Sequence, residues 1–194
     1  MLPILSYGHT TLREKCDAAD PDLLDWNILI DDMWETLDSS GACGLSAPQI
    51  NLPVQLFIVD TQSYYQNLPA DTRDLYFENG AGIRETFINP RVVNRSTRTW
   101  IEFEGCLSIP GISEKVERHW DITIEYLDRS FLPQRHTYSG MNARAIQHEY
   151  DHTLGVLYLD HLKPVRRNIL DNKLARISEG AEPTLYPMVY PRKP

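Results

Sequence analysis

Residues 139–155 read SGMNARAIQHEYDHTLG. Ser139-Gly140 at the start and Gly155 at the end predict a helix through most of this stretch. The helix carries the pentapeptide HEYDH, in which His148 and His152 are four residues apart and Glu149 follows the first histidine. Because a helix advances about 100° per residue, both imidazoles lie on one face, one turn apart. They can therefore reach one metal ion, with Glu149 beside a water molecule that the ion activates.

A metal centre needs more than two protein ligands, and the usual downstream positions do not supply a third. Position 158 is Tyr where a metzincin has His, and Glu179 and Glu182 lie in a stretch rich in Pro and Gly. Upstream, Cys106 in the segment EGCLS offers a thiolate, a good ligand for zinc or ferrous iron. Taken alone, Cys106 also fits a small buried residue, and the two histidines also fit ordinary half-buried positions of an amphipathic helix.

The remaining pattern predicts an α+β fold in which antiparallel strands pack around the central helix that carries HEYDH. Helices are expected at about 22–38 and 164–177. Strands are expected at 54–60, 86–94, 98–104 and 120–128. No βαβ alternation is visible, which favours antiparallel pairing. Residues 61–83 are expected to form a long loop, residues 1–177 a single domain, and residues 178–194 a Pro-rich tail over the surface.

Composition excludes several classes of function. The chain has 194 residues and a net charge of −8, which argues against DNA binding, because contact with phosphates needs clustered cations. No apolar run is long enough for a membrane span, and no basic, apolar leader opens the chain. Three widely spaced cysteines argue against a disulfide framework and predict a cytoplasmic location. Residues 163–177 stand out, with five basic side chains and one acidic side chain.

Three motifs give the sequence its resemblance to the peptide deformylase family. They are GLSAPQ at 44–49, EGCLS at 104–108 and HEYDH at 148–152, in the family's order. The resemblance covers most of residues 1–170. Two departures are visible: the first motif opens Ala-Cys-Gly at 42–44 where the family has Gly-x-Gly, and Ser46 replaces an alanine.

The resemblance implies a role for each matching residue. Cys106, His148 and His152 would bind the metal ion, and Glu149 would be the general base and then the general acid. The oxyanion would be stabilised by Gln49 and the backbone N–H of Leu107. The remaining implied residues line the edge where the peptide binds as an added strand: Cys43, Gly44 and Gly105.

The resemblance also implies the reaction and its partners. The substrate would be an N-formylmethionyl peptide, which is hydrolysed to formate and a free amine, and the basic 163–177 helix would dock on the ribosome. A thiolate and two imidazoles accept zinc, iron, nickel or cobalt, and the resemblance favours ferrous iron. Two alternatives stay open: an endopeptidase that uses the same helix, and a non-catalytic metal-binding module with Cys43 as a fourth ligand.

Overall fold

The computed structural model describes residues 1–78 and 80–191; Asn79, in the expected loop, and residues 192–194, in the expected tail, lie outside this part. Five α-helices are described: Trp26–Ser40 (α1), Gln62–Asn67 (α2), Arg73–Tyr76 (α3), Gly140–Thr153 (α4) and Pro164–Ser178 (α5). The strands of the same residues are Ile4–Leu5 (β1), Gly44–Ser46 (β2), Leu56–Asp60 (β3), Arg84–Arg95 (β4), Thr99–Cys106 (β5), Ile109–His119 (β6), Asp121–Leu127 (β7), Pro133–Ser139 (β8) and Met188–Val189 (β9).

The strands form three sheets. The largest has the order β2-β3-β4-β7-β8 with antiparallel neighbours throughout, and β5 and β6 make a separate antiparallel ribbon. The small pair β1 and β9 is parallel. The topology confirms the predicted α+β class with antiparallel strands.

Helix α4 lies at the centre of the fold. Its residues Ala143 and Ile146 pack on the five-stranded sheet, in a cluster that includes Phe57 and Phe87. Twelve of its 14 residues are buried, including charged and amide side chains that a surface helix would expose. These polar residues need partners inside the protein, because an unpaired buried polar group costs free energy. The predicted central helix is confirmed, and its polar side forms the candidate site.

Two expected elements differ in the structure. Helix α1 begins at Trp26 rather than near 22, because the side chain of Asp25 accepts hydrogen bonds from the N–H groups of Asn27 and Ile28 and so caps the helix. The expected loop at 61–83 contains the short helices α2 and α3. It is attached to the core by a 2.5 Å hydrogen bond between the side chains of Thr61 and Asn142.

The segment after α5 does not simply lie over the surface. Strand β9 pairs with β1, and the N–H groups of Ile4 and Ser6 donate to the carbonyls of Pro187 and Val189, both at 2.9 Å. The division into a domain at 1–177 and a tail at 178–194 stays a prediction. Within the described ranges, no helix combines the length and the apolar character that crossing a membrane requires.

Candidate metal centre and active site

The second and third motifs meet in space. The ligand atoms of Cys106, His148 and His152 all lie within 4.8 Å of one another, and Cys106 Sγ is 3.3 Å from His152 Nε2. Cys106 stands at the end of β5, where the register with β6 shifts between Gly105 and Cys106. The irregularity occurs where the ribbon meets α4, as bulges do next to active sites. A thiolate and two imidazoles are a suitable donor set for zinc or ferrous iron.

Cys43 is not part of this group in the portion of the chain that the structure describes. Burial, followed by the nearby charges of Asp60 and Glu149, raises the pKa of its thiol to about 11. A protonated thiol is a poor metal ligand, because the thiolate is the binding form. Three protein ligands would leave a coordination position for water or substrate, which is typical of catalytic rather than structural zinc-type sites.

A buried carboxylate fixes the orientation of His148. Glu104 Oε2 is 2.9 Å from His148 Nδ1, which leaves Nε2 of that ring for the metal. Metal-binding histidines usually have such a partner on the second ring nitrogen. Burial acts to raise the pKa of Glu104, but hydrogen bonds from His148 and Arg118 outweigh it and hold that pKa well below its ordinary value. Glu104 is therefore a buried anion at neutral pH.

Two buried arginines neutralise Glu104. Arg118 makes two hydrogen bonds of 2.9 Å to the carboxylate, and Arg144 makes one of 2.6 Å. Arg118 also donates to Asp151 at 2.5 Å, which connects β6 to α4 beside the candidate ligand His152. Sequence reasoning placed Glu104 in a motif without giving it a role, and it did not identify the two arginines, since nothing in their local sequence distinguishes them.

Glu149 is buried beside the candidate ligands, and its Oε2 has no hydrogen-bond partner among the described residues. Burial raises the pKa of its carboxyl to about 7, although the charge of His148 opposes the shift. The carboxylate packs directly against Gly44, where a Cβ would overlap Glu149 Oε1 and lie 2.7 Å from its Cδ. Gly44 is thus needed to make room for Glu149, in addition to any role at the peptide edge.

Gln49 points its amide nitrogen at the candidate ligand cluster. Its Oε1 accepts hydrogen bonds from the backbone N–H of Ser46 at 2.9 Å and from the Ser46 hydroxyl at 3.0 Å. Because the N–H of Ser46 requires an acceptor, Nε2 must face the other way. There it lies 3.4 Å from Cys106 Sγ and 3.2 Å from Ser108 Oγ. All three motifs therefore converge on one point.

A cavity of about 680 Å³ opens onto this point. One side is formed by Ala42, Cys43 and Gly44, at the start of the edge strand β2, and another by residues 102–107 of β5 and the turn after it. Its volume lies within the range of about 300–1,000 Å³ that is common for ligand sites. The cavity connects the cluster of Cys106, His148 and His152 with two strand edges.

Comparison with known proteins agrees with this arrangement. The family model described as "Polypeptide deformylase" matches residues 1–168. The chain belongs to this family. The peptide deformylase of Christiangramia forsetii is 39% identical over 191 residues, covering 98% of this chain and 96% of that protein. The peptide deformylase of Flavobacterium psychrophilum is 39% identical over 197 residues, covering 100% and 99%.

Solved deformylase structures share the fold. The Synechococcus elongatus enzyme, solved in complex with actinonin, has a TM-score of 0.75 and 30% identity, covering 89% of this chain and 87% of that one. The Legionella pneumophila enzyme has a TM-score of 0.76 and 27% identity, covering 94% and 99%. As a deformylase, the protein is a metal-dependent hydrolase that removes N-formyl groups from nascent peptides.

Proposed function

We propose that Cys106, His148 and His152 hold one divalent ion, and that Glu149, Gln49 and the backbone N–H of Leu107 catalyse release of formate. The observation that carries this assignment is the convergence of all three motifs on one end of the cavity, with Glu149 and the Gln49 amide beside the ligand cluster. The substrate is an N-formylmethionyl peptide. The finer assignments follow from the chemistry of each group.

Ferrous iron is the proposed native metal, and zinc, nickel or cobalt can take its place, since all four accept thiolate and imidazole ligands. When bound, the ion supplies a Lewis acid that lowers the pKa of water and polarises the formyl carbonyl. His148 is held in the correct tautomer for this by Glu104.

Glu149 moves the proton. As a carboxylate it accepts a proton from the attacking water, and it then donates that proton to the nitrogen of the departing amine. The buried Oε2 has no hydrogen-bond partner among the residues that the structure describes, which leaves it free to accept a proton. Burial makes its carboxyl a weaker acid than usual, which suits a group that must both accept and release a proton.

Gln49 and Leu107 stabilise the oxyanion. The formyl oxygen gains negative charge when water attacks, and the Gln49 Nε2–H and the Leu107 N–H donate to it. Because Ser46 already fixes the other end of the amide, Gln49 needs no reorientation during the reaction. Preorganised donors of this kind favour the transition state over the ground state.

The peptide binds as an added strand between the edges at Gly44 and Gly105, with Cys43 packing at the rim. Main-chain hydrogen bonds give affinity in this mode, and one side-chain pocket gives specificity. The apolar side chains of Ile112, Met141 and Ala145 line the cavity and suit a methionine side chain.

We also propose that the protein works in the cytoplasm and docks on the ribosome through α5. In support, Arg166 and Lys173 of this helix are exposed, although each also bonds within the chain, to Glu114 and to the Gly111 carbonyl. Basic side chains attract nucleic-acid phosphates at low ionic strength.

One assay tests the central proposal. The iron or nickel form, prepared without oxygen, is incubated with formyl-Met-Ala-Ser, and formate and free amine are measured. We expect both products in equal amounts. Absence of formate together with cleavage of internal amide bonds in an unformylated peptide would instead establish an endopeptidase.

A further inference from the structure

The segment at residues 180–190, here called the strap, folds back from the end of α5 towards the candidate site. Gly180 has a φ of 74°, which favours glycine, and this residue reverses the chain. The ring of Tyr190 covers Gly180, 3.2 Å from where a Cβ would stand. A 2.7 Å ion pair between Arg176 and Glu182 adds a further tie at the start of the strap.

Strand β9 anchors the other end of the strap. Its partner β1 is part of the core, since Ile4 and Leu5 are almost completely buried. Two backbone hydrogen bonds of 2.9 Å join the segments on either side. The strap is therefore held at both ends, so that the part between them has a defined place.

The middle of the strap forms a wall of the catalytic cavity. Residues 183–186 line it together with the metal ligands Cys106 and His148. The hydroxyl of Tyr186 donates a 2.8 Å hydrogen bond to the carbonyl of Leu107. The next carbonyl, that of Ser108, accepts from the N–H of Tyr7 at 2.7 Å. Both peptide groups that follow the Leu107 N–H are thus held from outside the ribbon.

Leu185, next to Tyr186 in the strap, is exposed to solvent rather than bonded to the backbone. Its side chain is 100% exposed although it borders the cavity, and Phe103 on β5 borders the same cavity and is 56% exposed. When a ligand covers exposed apolar groups at the rim of a site, the loss of contact with water favours binding. A peptide that extends out of the cavity beyond its first residue would provide that cover.

We propose that residues 183–186 of the strap are part of the substrate-binding site: Leu185 contacts the peptide chain beyond formylmethionine, and Tyr186 is a positioning residue for the backbone that carries the Leu107 N–H. The inference rests on the proposed function, since it assigns the cavity to a formylated peptide. The substrate class it specifies is a formylmethionyl peptide that extends beyond its first residue.

The contact of Leu185 is tested by substrate length. We compare Leu185→Asp with Val165→Asp, a matched change at an exposed position on α5 that does not line the cavity. For Leu185→Asp we expect the KM of formyl-Met-Ala-Ser to rise about three- to tenfold, the order of effect of uncovering part of a leucine. The KM of formylmethionine amide should stay the same, and Val165→Asp should match the unmodified protein on both. Equal changes on both substrates, or no change on the longer one, would overturn the contact.

The role of Tyr186 is tested by separating kcat from KM. Tyr186→Phe removes only the hydroxyl, and Tyr190→Phe is the same change elsewhere in the strap. We expect Tyr186→Phe to lower kcat on formylmethionine amide about three- to tenfold, with KM and metal content unchanged, because one neutral hydrogen bond is lost. A kcat equal to that of Tyr190→Phe, or loss of metal from Tyr186→Phe, would overturn the positioning role.

The unmodified protein separates the two levels of inference. If it releases no formate from either substrate, the proposed function fails. If it deformylates both substrates and the strap variants behave like their controls, only the strap inference fails.

Discussion

The helices α4 and α5 have similar lengths and many polar residues, yet they differ strongly in burial. Of the 14 residues of α4, 12 are buried, whereas α5 buries three of 15, namely Leu170, Leu174 and Ile177. Most polar residues of α4 have partners inside the protein, chiefly on the ribbon of β5 and β6, whereas most of those on α5 face water. A polar helix sequence is thus compatible with a central position when the surrounding fold supplies the partners.

Two glutamates of the ribbon make the contrast local. Glu104 and Glu114 are paired residues of β5 and β6, and each binds an arginine of a different helix. The pair of Glu104 with Arg144 of α4 is closed off from solvent, with 4% and 3% of the side chains exposed. The pair of Glu114 with Arg166 of α5 is half open, since 51% of the arginine side chain is exposed. Water can replace one partner only in the second pair.

The largest effect is expected for the ligands. Cys106→Ala or His148→Ala leaves two protein ligands, which hold the ion too weakly, so that both metal and activity should be lost completely. Metal content by elemental analysis and formate release check this. Asn168→Ala, at an exposed position on α5, is the control that should keep both. Full metal stoichiometry in purified Cys106→Ala would refute the ligand assignment.

Glu149→Gln sharpens the comparison within α4, because it changes chemistry without changing size. The amide cannot accept a proton, so we expect kcat to fall by about 10²–10⁴ while the metal is retained. Steady-state kinetics on protein of confirmed metal content measure the effect. Near-normal turnover would mean that another group activates the water.

Glu104→Gln and Glu114→Gln compare the two sides of the ribbon directly. Removing the charge of Glu104 leaves Arg118 and Arg144 buried with less compensation, and we expect a loss of about 3–5 kcal/mol in the free energy of unfolding. It should also weaken metal binding by about 10–100-fold, since the hydrogen-bond partner of His148 is no longer a carboxylate. Glu114→Gln should cost little, because Arg166 is half exposed. Denaturant unfolding and metal titration separate the two; equal losses would contradict the contrast.

Gln49→Ala tests a donor outside both helices. We expect kcat to fall by about 10²–10³, or roughly 2.7–4 kcal/mol, with a much smaller change in KM, because the amide binds the oxyanion better than the ground-state carbonyl. Kinetics on formyl-Met-Ala-Ser give both parameters. An effect confined to KM would instead make Gln49 a substrate-positioning residue.

The smallest effect is expected on α5. Arg166→Ala and Lys173→Ala should leave deformylation of a free tripeptide unchanged, because neither residue borders the cavity. Both changes should weaken co-sedimentation with ribosomes at low salt. Unchanged co-sedimentation would remove the proposed docking surface without affecting the catalytic assignment.

The parts of the site that belong to a recognisable motif were predictable. The spacing of His148 and His152 follows from helix geometry. Cys106 lies 42 residues before His148, and it was assigned because its segment EGCLS resembles a motif of the family. Arg118 and Arg144 were not, because their contacts with Glu104 span 14 and 40 residues and no local pattern marks them. Long-range pairs of this kind depend on the finished fold.

The secondary structure also divides into elements that local sequence predicts and elements that it does not. Helices α1, α4 and α5 were expected from apolar spacing and caps, but strand β6 was not. Alternate positions of β6 are buried, yet two of those positions hold Glu114 and Arg118. Buried charges interrupt the apolar alternation by which a strand is found in a sequence. Glu114 and Arg118, the second of which binds Glu104 beside the candidate site, therefore made this strand hard to recognise in the sequence.

The pairing of β1 with β9 also bears on the order of folding. The ribbon of β5 and β6, which carries Cys106, joins residues close together in the chain, whereas β1 and β9 join residue 4 to residue 188. Contacts across long chain separations form against a larger entropy of loop closure and slow folding. We therefore expect the ligand cluster to assemble before the strap docks, so that refolding passes through a metal-competent species that still binds long substrates poorly.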